Sequence, residues 1–174
     1  MESPTPRHAV WSVYDEVRTA RLNVKYLQAI MRRLNRRDFW HEVLIAITTS
    51  SAVAGISFWG TVLGGWLWRA IGAVATILSV LKPLLRLRDK IKRTSELLAS
   101  YHILDFDLNR IRIEIERRKK YEEPLAKQFL KALERKRELV KKDVESSIDD
   151  KLRVVCRKKV DREMPPESFY VPPD

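Results

Sequence analysis

The residue types that most often carry catalysis or bind metals are few and scattered in this sequence. Its three histidines are His8, His41 and His102, and its one cysteine is Cys156. His102 and Asp105 lie three residues apart and share a helix face, but two ligands are too few for a metal site. No serine or cysteine lies at a spacing from a histidine that indicates a nucleophile with its base. We therefore predict a protein that is not an enzyme, with no catalytic residues, no metal and no cofactor.

Glycine and charge are both unevenly distributed. All five glycines lie within residues 55–72, so a glycine-rich phosphate loop is excluded elsewhere. The formal net charge is +11, and clustered Lys and Arg attract phosphates of nucleic acids or of lipid headgroups. Basic clusters at residues 117–120, 135–137, 141–142 and 157–159 interleave with carboxylates, which is typical of solvated helix faces. We assign no ligand-binding residues to them.

Arg69 is the one charged residue in the 39 residues from 43 to 81. A helix needs roughly 20 apolar residues to cross a bilayer core of about 30 Å. The stretch is therefore too long for one span and suits two, which we place at residues 42–59 and 63–81. Trp40 marks one end of this hairpin and Trp59, Trp66 and Trp68 mark the other, as in the aromatic belts of membrane proteins.

Basic residues flank the predicted hairpin on both sides. Four arginines precede it and six basic residues follow it, which by the positive-inside rule predicts that both termini are cytoplasmic. A soluble protein with a buried helical hairpin is the alternative. The flanking residues are Arg32, Arg33, Arg36 and Arg37 before the hairpin, and Lys82, Arg86, Arg88, Lys90, Lys92 and Arg93 after it.

Small and polar residues recur along one face of the second predicted span. Arg69 lies on this face, and its position permits two interpretations. It either snorkels to the outer surface in a simple anchor, or it stands at the mouth of an aqueous pore, where a ring of arginines favours anions. A pore requires several subunits, because one hairpin cannot enclose water. The predicted pore-lining residues are Gly65, Arg69, Gly72, Thr76 and Ser79, together with Ser50 and Ser57 of the first span.

An N-terminal helix is predicted from a heptad pattern of apolar residues sustained for more than three heptads. The pattern is explained either by packing in a helical core or by a seam between subunits, and we predict the seam as the assembly element. Its residues are Val10, Val13, Val17, Val24, Leu27, Met31 and Leu34, with Ala20 completing the spacing.

The rest of the chain is predicted to be a charged helical region ending in a proline-rich tail. Pro124 predicts a break and a restart with proline at a first helical position. The tail has four prolines in eleven residues and is predicted to be extended or disordered. The predicted fold class is an all-α, oligomeric membrane protein. Its regions are an amphipathic helix (1–40), the transmembrane hairpin (41–83), a cytoplasmic helical or coiled-coil stalk (84–163) and the tail (164–174).

Two stretches of this sequence resemble the SLATT family of two-transmembrane proteins from bacterial conflict systems. They are WSVYDEVRTARLNVKYLQAIMRRLNRRDFWHEVLIAITTSSAVAG (residues 11–55) and VLKPLLRLRDKIKR (residues 80–93). The resemblance covers roughly residues 11–108 and follows the pattern of helices and flanks more than a short motif. The family has no catalytic residues to transfer to this chain.

The resemblance implies an effector of antiphage defence that forms pores in the bacterial inner membrane and depolarises or breaches it when triggered. It also implies control by a nucleotide or oligonucleotide signal from a partner nucleotidyltransferase. The partners expected are further copies of the chain, with a tetramer as the first guess, and the lipid bilayer. The alternative function is a non-conducting, membrane-anchored coiled-coil scaffold that recruits a soluble partner.

Overall fold

The computed structural model describes residues 9–54, 73, 87–142 and 149–171, and for residues 47–54 it describes the backbone alone. Within these ranges the secondary structure is helical and contains no strand, which agrees with the all-α prediction. The helices are α1 (Val10–Ala54), α2 (Leu87–Arg118), α3 (Glu123–Lys142) and α4 (Asp150–Glu163), followed by a short 3-10 helix (Pro166–Ser168).

Local signals explain where α2 ends and where α3 and α4 begin. Lys119 has a positive φ of 54° and its N–H donates to the carbonyl of Ile115, which closes the last turn of α2. Pro124 lies in the first turn of α3, where a missing N–H costs nothing. The break and restart predicted at this proline are therefore confirmed. The carboxylate of Asp149 caps α4 by accepting from the N–H of Leu152 at 3.0 Å.

The chain divides into two compact units. Unit 1 comprises Met1–Ala29 and Ser95–Asp174, and unit 2 comprises Ile30–Thr94. The core of unit 1 is built from one face each of α1, α2 and α3 together with Phe169 of the C-terminal segment. Its buried residues on α1 are Val10, Val13, Tyr14, Val17, Ala20, Val24 and Leu27.

The predicted heptad seam on α1 lies mostly in this core. Six of its positions, Val10 to Leu27, are buried within a single chain, while Met31 and Leu34 fall in unit 2 and are half-buried. Core packing, one of the two explanations that the spacing allowed, therefore accounts for the burial of the first six. An assembly role for these residues stays a prediction.

In unit 2 the described residues are the second part of α1, Ala73 and the first turns of α2. One polar contact between these helices joins Arg88 Nη2 to Glu42 Oε1 at 3.4 Å, with both side chains exposed. An exposed pair of this length contributes little to stability.

The prediction of a transmembrane hairpin, and with it the inner-membrane location, is wrong for the part of the chain that the structure describes. No helix there is both long enough and apolar enough to cross a membrane. The physical reason is visible in α1, which carries charges as far as Glu42. Its uncharged part, residues 43–54, rises about 18 Å, and a bilayer core is about 30 Å thick.

Most of the residues predicted to line a pore lie outside the described residues. These residues are Gly65, Arg69, Gly72, Thr76, Ser79 and Ser57. The second predicted span, residues 63–81, also lies outside the described residues apart from Ala73. Ser50 lies in α1, within residues 47–54, for which only the backbone is described.

The C-terminal segment, predicted to be extended or disordered, folds back onto unit 1 as far as it is described. Phe169 is buried and stacks on Tyr14, with ring centroids 4.4 Å apart. The Tyr14 hydroxyl donates to the backbone carbonyl of Tyr170, and Trp11 meets Tyr14 edge-on at 6.0 Å. Two buried aromatic rings and a hydrogen bond thus hold a segment whose prolines suggested disorder.

Candidate functional site

A group of arginine and aromatic residues lies along one face of α1 in unit 2. Its members recur at helical spacings of three and four residues, so their side chains emerge on the same side of the helix. They line a shallow cavity of about 450 Å³. We call this group the basic–aromatic face; it consists of Arg33, Arg36, Arg37, Trp40, His41 and Leu44.

Large apolar side chains are exposed at this face and beside it. Phe39 is 60 % exposed and Trp40 is 53 % exposed, and Leu44 is also exposed. The rings of Phe39 and Trp40 meet edge-on at 5.9 Å, so they form one apolar surface. Scattered exposed apolar residues are ordinary, but adjoining ones beside a charged cluster indicate an interaction site.

The electrostatic character of this face is positive. Arg33, Arg36 and Arg37 are exposed, and guanidinium groups stay charged at all physiological pH values. Asp38 and Glu42 are the acidic residues nearby on α1, and Glu42 forms the weak pair with Arg88. The face therefore offers concentrated positive charge next to apolar rings.

Trp40 lies near the point in α1 where an arginine-rich part is followed by an uncharged part. The helix is rich in arginine before it and carries no charged residue from Val43 to its end at Ala54. Tryptophan favours such a boundary because its ring is apolar while its N–H bonds to water or headgroups. This order along one helix matches the order of layers at a bilayer surface.

Unit 1 contains a second polar cluster, centred on Asp105 of α2. Asp105 is 6 % exposed and its Oδ1 lies 3.3 Å from Arg21 Nε, without the geometry of a hydrogen bond. Burial raises the pKa of this carboxyl, and the charges of Arg21, His102 and Lys25 oppose the rise. His102 also meets Gln28 at 3.2 Å. The cluster bridges α1 and α2 inside the fold, so we interpret it as structural.

A second, smaller cavity lies between α1 and α4. It has a volume of about 310 Å³ and its lining mixes both charges. Arg18 Nη2 bonds Asp161 Oδ1 at 2.5 Å across it. Because the Arg18 guanidinium already has a carboxylate partner, and Asp15 and Asp161 balance the charges of Arg18 and Arg157, the cavity is a weak candidate for an anion site.

Metal binding finds no support in the described ranges. They contain no group of three or more His, Cys, Asp or Glu side chains arranged to hold a metal ion. Cys156 is buried and is not part of a disulfide. The expectation that the chain is not an enzyme stays a prediction.

Sequence reasoning identified part of this site and missed part of it. It singled out Arg33, Arg36, Arg37 and Trp40, but as the flank of a transmembrane span. It missed Phe39 and the cavity, and the available signal was Phe39 and Trp40 side by side immediately after the arginines. It also missed Asp105 as a core residue, since a carboxylate among apolar positions looks like a break in the pattern.

A comparison of the chain with family models, curated proteins and solved structures finds no match. The resemblance to the SLATT family therefore stays a hypothesis that rests on residues 11–55 and 80–93 of this sequence.

Proposed function

We propose that this chain is a non-enzymatic effector that binds the anionic surface of a lipid bilayer through the basic–aromatic face of α1. The observation that carries the proposal is the joint exposure of three arginines and two aromatic rings on one stretch of helix. Each basic residue near an anionic membrane surface contributes about 1 kcal/mol of attraction. The rings add the burial of apolar area among the headgroups and upper acyl chains.

The order of residues along α1 favours a bilayer over a nucleic acid. Nucleic acids also attract arginine and stack on aromatic rings, but they offer no apolar layer. Leu44, which is exposed on the same face, would stay in contact with water on a phosphate backbone. At a bilayer surface its side chain can contact acyl chains.

The second part of the proposal concerns the effect of binding. The resemblance to the SLATT family supports an increase in the permeability of the bilayer, under the control of a nucleotide signal. The alternative is a scaffold that binds the bilayer without changing its permeability and presents unit 1 to a partner. Both alternatives share the binding step and differ in leakage.

Co-flotation of the full chain with vesicles tests the binding step. We expect binding to phosphatidylglycerol vesicles and weak binding to phosphatidylcholine vesicles. The triple variant Arg33→Gln, Arg36→Gln and Arg37→Gln should lose about 3 kcal/mol of binding, which is a hundredfold or more in affinity. The matched control is Arg153→Gln, Lys158→Gln and Lys159→Gln, which removes the same charge from exposed positions of α4 and should retain binding.

A second pair of variants separates the aromatic contribution from charge. Phe39→Ser with Trp40→Ser should weaken binding, whereas Val154→Ser with Val155→Ser, equally exposed on α4, should not. If the triple arginine variant of α1 and its triple control on α4 lose vesicle binding equally, the proposal is overturned, because the attraction would then depend on net charge alone. Binding to double-stranded DNA in the absence of binding to any vesicle would overturn it as well.

Release of a trapped dye from the same vesicles decides between the two effects of binding. Leakage that the arginine variant abolishes supports the effector. Binding without leakage, with and without added nucleotides, supports the scaffold.

A further inference from the structure

Helix α2 has a second ordered face that the core of unit 1 does not use. The face towards the core carries Tyr101, Leu104, Asp105, Leu108, Ile111 and Ile115. A different set of α2 residues recurs at spacings of 4, 3, 4, 3 and 4. At 3.6 residues per turn this set points roughly opposite to the core. We call it the outer stripe; it consists of Ala99, Ile103, Phe106, Arg110, Ile113 and Arg117.

Every member of the outer stripe is exposed, and four of the six members are apolar. Phe106 is 67 % exposed, Ile103 is 54 % exposed and Ile113 is 47 % exposed. Phe106 is more exposed than the other large apolar residues described in unit 1, and it shares one line on one helix with Ile103 and Ile113. Heptad spacing of this kind is the pattern by which helices pack on other helices.

The stripe is complementary to itself when a second copy runs antiparallel. In antiparallel helix pairs the a position of one helix faces the d position of the other. A two-fold axis that crosses the stripe midway between Phe106 and Arg110 then places Ile103 against Ile113 of the second copy. The same axis places Phe106 against Arg110, where the guanidinium lies over the ring in a cation–π contact. It also places small Ala99 against the long stem of Arg117.

A parallel pair would fit poorly. It would place Arg110 against Arg110 and Arg117 against Arg117, which sets like charges together at two of the layers. It would also leave both phenylalanines in one layer without a cation. The distribution of charge along the stripe therefore selects the antiparallel arrangement.

We propose that two copies of the chain associate through the outer stripe, as an antiparallel α2 pair around a two-fold axis that crosses the stripe midway between Phe106 and Arg110. The contact is isologous, as in most two-fold dimers. It lies on unit 1, so it does not depend on bilayer binding by unit 2. The stripe has few apolar residues, so we expect a weak dimer that forms only as the concentration of the chain rises.

Sedimentation velocity of the full chain over a concentration series tests the association. We expect a dimer whose dissociation constant rises about tenfold or more on Phe106→Glu. Val154→Glu, a control at an exposed apolar residue of α4, should leave the dissociation constant unchanged. Circular dichroism of both variants checks that the helices are intact. A chain that stays monomeric over the whole series overturns the proposal, as does a dimer that Phe106→Glu leaves unchanged.

Disulfide trapping tests the register and direction. With Cys156→Ser as background, one preparation carries Ile103→Cys and the other carries Ile113→Cys. The antiparallel pair predicts that the mixture forms the crossed 103–113 disulfide faster than either preparation forms its own. Faster formation within each preparation alone would indicate a parallel pair and would overturn the arrangement.

Discussion

Helix α1 is used in opposite ways by the two units of this molecule. In unit 1 its apolar residues face inwards and are covered by α2, α3 and the C-terminal segment. In unit 2 its aromatic residues Phe39 and Trp40 are exposed, and they follow a run of arginines. One continuous helix therefore contributes to the core in its first half and exposes aromatic and arginine side chains in its second half.

The difference lies in what accompanies the apolar residues. In the first half, charged residues beside the seam form ion pairs with other helices. Lys25 Nζ bonds Glu163 Oε1 at 2.6 Å and Lys136 Nζ bonds Glu16 at 2.6 to 2.8 Å. In the second half, four arginines accompany two carboxylates, and Phe39, Trp40 and Leu44 are exposed instead of buried. The exposure of the apolar residues thus distinguishes the two halves, and bilayer binding by the second half stays a proposal.

Placing a charge in the buried half should have the largest effect. Val17 is fully buried, so Val17→Asp must bury an unpaired carboxylate and should cost about 3 kcal/mol or more. Phe39→Asp in the exposed half should cost less than about 0.5 kcal/mol. Urea unfolding followed by circular dichroism measures both changes. Similar costs at the two positions would show that the halves do not differ in the way described.

Removing the ring of Phe169 should be the next largest effect. It is buried against Tyr14, and truncation of a buried phenylalanine to alanine costs about 3 kcal/mol. Burial, with a further contribution from the Glu116 carboxylate, raises the pKa of Tyr14 to about 12, so the hydroxyl donates to Tyr170 throughout the physiological pH range. Glu167→Ala, at a neighbouring exposed position, is the control for urea unfolding. A stable Phe169→Ala chain would mean that the segment is not part of the core.

The buried carboxyl of Asp105 should make unit 1 less stable as the pH rises. Its pKa is raised in the folded chain, so the protonated form favours folding. Its contribution is complete below the unfolded value near 3.8 and is lost as the pH rises through the folded pKa. We therefore expect Asp105→Asn to be more stable than the wild type at neutral pH, by about 1 kcal/mol.

That advantage should shrink as the pH falls towards 4. At each pH, the free energy of unfolding of the wild type is subtracted from that of Asp105→Asn. The difference cancels the titration of the ion pairs that both chains share. An advantage that stays constant with pH, or that grows as the pH falls, contradicts the assignment. It would mean that the Arg21 charge outweighs the burial of the carboxyl.

The smallest effect should come from the exposed rim of unit 1. The carboxylate of Glu163 is half-exposed in its pair with Lys25, so solvent screens the attraction. A double-mutant cycle with Lys25→Met and Glu163→Gln should give a coupling energy of about 0.2–1 kcal/mol. A coupling above about 2 kcal/mol would place this pair among the interactions that hold α4 in place.

The sequence predicted the helices well, because their signals are local. The seam from Val10 to Leu27 and the restart at Pro124 follow from spacing and from backbone chemistry. The aromatic anchor at Phe169 was missed because its partner, Tyr14, lies 155 positions away in the sequence. Such a contact leaves no local pattern, and the flanking prolines pointed the other way.

The sequence predicted which residues are important in the candidate site but not how they are used. The arginines and Trp40 stood out from the sequence, yet their use was inferred from the apolar stretch that follows them. The hydrophobicity of a stretch indicates that it is kept from water. It does not indicate whether a bilayer core, a bilayer surface or a protein core covers it. Asp105 was missed for a related reason, since a charged residue at a core position breaks the pattern by which core positions are recognised.

A fluorescent probe in each unit tests the central claim most directly. With Cys156→Ser as background, an environment-sensitive dye is attached at Trp40→Cys in one preparation and at Val154→Cys in another. Phosphatidylglycerol vesicles that carry a quencher in their lipids are then added to the full chain. We predict a blue shift and quenching at position 40, with neither at position 154. No change at position 40, or equal changes at both positions, would contradict the assignment of bilayer binding to the basic–aromatic face.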